Sequence, residues 1–253
     1  MTCLAEVGLH LNVGKTKILT TQSQSPSEVP LRHGQVIEVF DRGSTHKWLG
    51  CMLCTAKTGS HTLDLAHHLR AASKAFYANR PYLVNRNVAM PNRFKYFNAM
   101  VTPVACFGAA HRKVYKQDLC KMDIVFRRLL RSIVGPPGDV DWTLPWHEIL
   151  HHWNERVKFF TNRHGLKSWS AVCLGQFWKF AHYVSHLRRE RWVVRAMNWF
   201  PENARRVGRP AYTWDSMSQQ FCRHKQIGNW RERAQNISFW MCQFDDFLAF
   251  TDT

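Results

Sequence analysis

Acidic residues are scarce in this 253-residue chain, with 18 Asp and Glu against 35 Lys and Arg and a formal net charge of +17. An ordered protein with that imbalance suits a polyanion, most simply nucleic acid, because binding releases condensed counterions. Long apolar runs are missing too. The longest, residues 100–110, is too short to span a bilayer and is interrupted by Pro103. No basic segment followed by an apolar core opens the chain, and no lipidation motif accompanies the charge. A membrane partner is therefore not expected. The eight cysteines are scattered, without the spacing of a disulfide framework. They read as reduced thiols in an intracellular protein, nuclear or cytoplasmic. No internal repeat is visible.

Aromatic side chains are plentiful by contrast. Eleven Trp and sixteen Phe argue against disorder. The length suffices for one large or two ordinary domains with ample core. The basic charge is concentrated. Residues 61–135 hold 13 basic and 3 acidic side chains, a net +10, while residues 1–60 contribute +2 and residues 136–253 contribute +5.

The first residues read as a helix end, a turn and a strand at 17–21, followed by a loop at 21–30 rich in Ser, Gln and Pro. Residues 35–40 and 45–53 are strand-type runs flanking Asp41-Arg42-Gly43-Ser44, which predicts a hairpin, with a second turn at 55–60. Helical periodicity then takes over. Leu65, Leu69, Ala72, Phe76 and Leu83 predict one helix with an apolar stripe. Pro91 marks the start of another through Phe94, Phe97, Val101 and Val104, with Pro103 expected to kink it. Leu119, Met122, Phe126, Leu129 and Ile133 form the clearest stripe, with Arg127, Arg128 and Arg131 on the opposite face. Gly135-Pro136-Pro137-Gly138 stops that helix. Beyond it, Trp146, Ile149, Trp153, Val157 and Phe160 predict a further helix, and Phe177, Phe180, Val184 and Leu187 one more, ending at Arg188-Arg189-Glu190-Arg191. The expected fold is mainly α with a small antiparallel β-hairpin region (α+β), organised as 1–60, 61–135 and 139–253.

Several short patterns invite chemistry. Residues 8–16 approach a phosphate-binding loop, but five residues separate Gly8 from Gly14-Lys15-Thr16 where that loop needs four. His147-Glu148-Ile149-Leu150-His151 matches the H-E-x-x-H pattern of zinc hydrolases. The extended pattern is not continued, since Asn154 and Val157 occupy its next positions, and a solvated polar face explains both histidines. Cys51 and Cys54, with His67 and His68 downstream, have the residue types of a zinc site, but the cysteines sit in an apolar strand where free thiols pack as small hydrophobes. Between 61 and 135 the cations are interleaved with Phe76, Tyr77, Tyr82, Tyr96 and Tyr115. Arg70, Lys74, Arg80, Arg93, Lys95, Arg127, Arg128 and Arg131 are the candidate contacts to a nucleic-acid backbone, reading charge and shape rather than base sequence.

Two segments carry a family resemblance. The run GLHLNVGKTK at residues 8–17, followed some thirty residues later by Lys47-Trp48-Leu49-Gly50, resembles the end of the palm domain in reverse transcriptases of non-LTR (LINE-type) retroelements. The resemblance implies that Lys15 or Lys17 lies near an incoming nucleotide and that Trp48, Leu49 and Gly50 belong to a primer grip. It makes residues 1–60 a palm end, 61–135 a helical thumb and 139–253 a post-thumb region, where a Gly-Arg-Pro at 208–210 precedes Trp214. The family's metal-binding aspartates belong upstream of Gly8, so the expectation is a fragment that binds template–primer duplex without polymerising alone. Phe244-Asp245-Asp246-Phe247 lies far on the wrong side to be the catalytic turn and reads as an ordinary acidic patch. No cofactor is expected in this chain, Mg²⁺ serving only a complete enzyme. The expected partners are an RNA template and RNA–DNA or DNA duplex, with the upstream palm region as a further one. Two other readings stand beside it: a non-enzymatic nucleic-acid-binding protein derived from a retroelement, and a zinc hydrolase built on His147 and His151.

Overall fold

The computed structural model describes residues 8, 11–20, 26–31, 34–40, 43–54, 60–113, 115–138, 141–198 and 212–252. The expected turns at 41–42 and 55–59, the 205–211 part of the Gly-Arg-Pro segment, and Leu9, His10 and Thr21 lie outside the described residues. The chain divides into two compact units, Met1–His67 and His68–Thr253. It is mainly helical with small strand pairs, as the residue pattern predicts.

In the first unit a single 3-10 turn, Val13–Lys15, is capped by the Asn12 side chain, which accepts from the Lys15 amide. Strand β1 (Ile18–Leu19) follows and pairs in parallel with β3 (Val36–Phe40), whose other edge is taken antiparallel by β2 (Glu28–Pro30). Along β3 the side chains alternate as a half-buried strand must: Ile37 and Val39 are buried, Val36 and Glu38 are exposed.

This pairing corrects one expectation. With both of its edges filled, β3 has no edge left for the strand that follows it. The run at 45–53 instead folds on itself, as β4 (Thr45–Trp48) against β5 (Cys51–Cys54), with Trp48 opposite Cys51. The two-residue connection is Leu49 (φ 47°) and Gly50 (φ 89°), both left-handed, as in the tight turns whose twist matches a hairpin. The Met52 amide donates to Asp64 Oδ1 at 2.8 Å, which anchors β5 to the following helix turn.

The second unit is built from helices. Helix α1 (Ser60–Ala78) begins in the first unit, continues into the second, and ends where Asn79 turns its side-chain amide back onto the Ala75 carbonyl at 2.8 Å. Leu83, expected on the same helix, lies in a separate short helix α2 (Arg80–Leu83), because Pro81 fits a first turn and not an interior. Pro103 acts likewise. Rather than kinking α3 (Met90–Met100), it opens a new turn, α4 (Thr102–Ala105). Helix α5 (Lys116–Val134) buries Met122, Phe126, Leu129, Leu130 and Ile133, and α6 (Trp146–Arg163) and α7 (Trp169–Ser185) both pack on it. The Gly135–Gly138 turn thus lies inside the second unit. Shorter helices complete it: α8 (Trp192–Asn198), α9 (Ser216–His224), α10 (Trp230–Gln235), α11 (Ile237–Cys242) and α12 (Phe244–Asp252). No helix among the described residues is long and apolar enough to cross a membrane.

Two aromatic clusters hold these helices. In one, Phe97 of α3 lies parallel to Trp169 of α7 at 6.1 Å between ring centroids, with Phe76 and Phe126 beside them, and the Trp169 indole donates to Thr102 Oγ1 at 3.1 Å. The other surrounds Trp178, packed against Phe221, Trp240 and Phe247. Gly175 serves that second cluster: a Cβ there would sit 3.4 Å from the Phe244 ring. The start of α7 is fixed from α5, since Asp123 accepts the Ser170 amide at 3.0 Å and its hydroxyl at 2.5 Å. Each ring buried in this way stabilises by about 1.5–3 kcal/mol of apolar transfer.

Candidate nucleic-acid interface

The cations proposed from sequence separate into two groups once placed on these helices. Arg70 and Lys74, one turn apart on α1, are exposed, as are Arg80 on α2, Lys95 on α3, and Arg127 and Arg128 on α5. Among the described residues none of these six has a carboxylate partner. The positive field they create is therefore not cancelled locally. Its effect is felt by Arg131, whose pKa is lowered by burial first and then by Arg127 and Arg128.

Arg93 and Arg131 turn inward instead. Arg93 is only 7 % exposed, and its guanidinium donates to the Ile133 carbonyl at 2.7 Å, at the end of α5. A cation there meets the negative end of the helix and a carbonyl with no partner inside it. Burial, then neighbouring Arg86, lowers the Arg93 pKa. Arg131 donates to Asn154 Oδ1 at 2.7 Å and so joins α5 to α6. The solvent-facing placement expected for Arg93 is corrected accordingly, because the orphan carbonyl at the helix end drew it in.

The aromatic residues sort the same way. Phe76 is fully buried and belongs to the core. Tyr77 is exposed, and Tyr82 lies 4.5 Å from Tyr96, whose hydroxyl donates to Asn79 Oδ1 at 2.7 Å. Tyr115 lies against Tyr212, 5.2 Å between centroids. Burial, and then Tyr115, pushes the Tyr212 phenol up to about 12.

In the first unit Lys15 is exposed, while Lys17 is committed: its ammonium lies 2.6 Å from Glu38 Oε2 and 5.0 Å from the Phe40 ring centroid. The Lys15 and Thr16 amides both donate to the Asn12 carbonyl, at 3.1 and 3.0 Å, so the donors that a phosphate loop would present are already used. Trp48 and Leu49, at the hairpin tip, are 61 % and 77 % exposed. Exposed apolar side chains at a turn contribute nothing to the core and are free to meet a ligand.

The other short patterns have local explanations. His147 and His151 project from α6 into solvent, His147 with a loose 3.7 Å approach to Glu148. The described residues contain no group of three His, Cys, Asp or Glu able to hold a metal. Cys54 donates to the Gly43 carbonyl at 3.4 Å. His68 is buried with its ring against Phe107. Asp245 and Asp246 occupy the first turn of α12, where carboxylates suit the helix dipole, and Asp246 pairs with Lys225 at 2.6 Å. Sequence reasoning missed the groove of about 490 Å³ between α5 and α6, where His151, Asn154 and Lys158 join Arg127. Its only sequence signal is the spacing of three and four residues between His151, Asn154 and Lys158 on the polar side of α6.

No model of a known protein family matches the chain, and no solved structure matches it. The chain is similar to an uncharacterized transposon-derived protein of Caenorhabditis elegans, 24% identical over 243 aligned positions, with 94% of this chain and 83% of that protein covered.

Proposed function

We propose that the chain derives from a retroelement and binds the sugar-phosphate backbone of a template–primer duplex, as the carboxyl-terminal part of an RNA-directed DNA polymerase. The observation that carries the reading is the set of six exposed cations, Arg70, Lys74, Arg80, Lys95, Arg127 and Arg128, none with a carboxylate partner among the described residues. Cations left unpaired on four helices are suited to a polyanion that reads as charge and shape. Similarity to a transposon-derived protein along most of both chains supports the origin. The GLHLNVGKTK and Trp48-Leu49-Gly50 segments support the polymerase reading, with Lys15 exposed beside the committed Lys17. Arg93 and Arg131 serve the fold, not the duplex.

This division of labour also separates binding from catalysis. Nucleotidyl transfer needs carboxylates that hold metal, and the six cations offer none, so on this reading the chain binds duplex without extending a primer.

The test is fluorescence anisotropy with an RNA–DNA hybrid across a salt series. Affinity should fall steeply with salt, and Lys74→Gln, Arg127→Gln and Arg128→Gln together should flatten the log–log slope by about 2–3. Salt-independent binding, or a triple variant with the wild-type slope, would overturn the reading. Primer extension with Mg²⁺ checks the second half, and incorporation above background would refute it.

A further inference from the structure

Three more arginines converge on elements other than the helices that carry those six cations. Arg189 in the turn after α7, Arg223 on α9 and Arg231 on α10 line one cavity of about 490 Å³ together with Asp215, Gln219 and Trp230. The single carboxylate in this wall is already engaged. One oxygen of Asp215 accepts from Thr213 Oγ1 at 2.7 Å, and the other accepts from Gln219 Nε2 at 2.7 Å and Trp230 Nε1 at 3.1 Å. No ion pair among the described residues satisfies any of the three guanidiniums. The Arg231 guanidinium is held over the Trp230 ring at 5.5 Å, which orients its plane. Three cations against one saturated carboxylate leave the cavity at +2.

We infer that this cavity is a second anion site, binding a phosphate group of a nucleic-acid strand through Arg189, Arg223 and Arg231. The planar fork of arginine matches phosphate oxygens in pairs, and a carboxylate that is fully hydrogen-bonded does not compete for it. Asp215 acts as the wall: it fixes Gln219 and Trp230 so that the arginines flank a preformed opening. The choice of a nucleic-acid strand rests on the reading above. The cavity and its charge do not, since none of its residues is among those six cations.

The Trp230 indole proton, bonded to Asp215 inside the wall, is the reporter. It is assigned with Trp230→Phe and followed by NMR during titration of the full chain with inorganic phosphate. A saturable shift is expected, weakened at least about tenfold in Arg223→Gln/Arg231→Gln. Arg189→Gln, in an exposed turn outside any helix, should change it in the same direction and keeps the test valid if the double variant does not fold. A short single-stranded oligonucleotide should displace the phosphate. A flat or unsaturable titration, or variants that bind like the wild type, would overturn the site; phosphate binding that an oligonucleotide does not displace would overturn the nucleic-acid assignment. The Lys74, Arg127 and Arg128 triple variant should give the wild-type phosphate titration. Failure of the duplex assay with this titration intact removes the reading above, and the reverse result removes only the cavity.

Discussion

Trp178 and Trp240 lie face to face, 3.7 Å between ring centroids and 4° from parallel, and each indole N–H donates to the backbone carbonyl of the other, at 2.9 and 3.0 Å. Both rings are fully buried. Replacing either one removes one of two buried hydrogen bonds, although the Trp240 carbonyl keeps the Gln243 amide at 3.2 Å. Trp240→Ala should cost about 3–5 kcal/mol. Trp240→Phe, which keeps most of the ring, should cost about 1–3 kcal/mol. Urea denaturation of the single and double phenylalanine variants checks this: the double variant should lose less than the sum of the singles, because the two bonds act as one unit.

Arg93 offers a contrast between charge and fold. Among the described residues its side chain bonds only the Ile133 carbonyl, and its Nε is buried without a hydrogen bond. Arg93→Met should lower stability by about 2 kcal/mol, through the lost charged hydrogen bond and the exposed end of α5. The folded variant should keep the salt slope of duplex binding unchanged. A slope reduced as in the triple variant of Lys74, Arg127 and Arg128 would place Arg93 among the duplex contacts instead.

Much of this was legible in advance, and the reasons for the exceptions are physical. Apolar residues three and four apart located α1, α3, α5, α6 and α7, and Pro91 and Gly135 marked ends that local chemistry alone dictates. Leu83 belongs to a separate short helix because apolar periodicity passes through Pro81 even though the hydrogen-bond ladder cannot. The hairpin forms within 45–54 because β3 has its partners in β1 and β2, a choice made by tertiary pairing. The Trp178–Trp240 contact spans 62 positions and has no local signature. Among the cations, exposure could be read from the helical wheel for Arg127 and Arg128. Arg93 could not be read that way, because what claims it is a carbonyl 40 positions away.

Leu49 sits at φ 47°, a conformation that a branched side chain tolerates poorly, at the tip of the β4–β5 hairpin. Leu49→Asn should therefore stabilise the hairpin by about 1 kcal/mol, since Asn-Gly is the favoured pair for such a turn. Hydrogen exchange of the Trp48 and Cys51 amides, the pair that flanks the turn, should slow. Under the proposed function the same change should weaken duplex binding, because an apolar contact at the tip is lost. Unchanged binding with slower exchange would show that the tip does not touch nucleic acid.

Tyr212 gives a pH-dependent test. Its phenol is raised from 10.0 to about 12 in the folded state. A raised acid holds its proton more tightly when folded, so its stabilising contribution is complete below pH 10 and is lost as pH climbs towards 12. Stability of the wild type should fall more steeply across that window than stability of Tyr212→Phe. Ultraviolet titration should show one of the six tyrosines ionising late, and that late component should vanish in the variant.

The joint between Asp123 and Ser170 brackets everything from the end of α5 to the beginning of α7. With both feet of that span pinned, its exposed turn at 141–145 works as a handle whose length is thermodynamically cheap to vary, each doubling costing about 0.6 kcal/mol. Natural variation, or a label spliced in by an experimenter, should accumulate there, whereas a single added residue between Gly165 and Ser170 would lift the next helix off its seat.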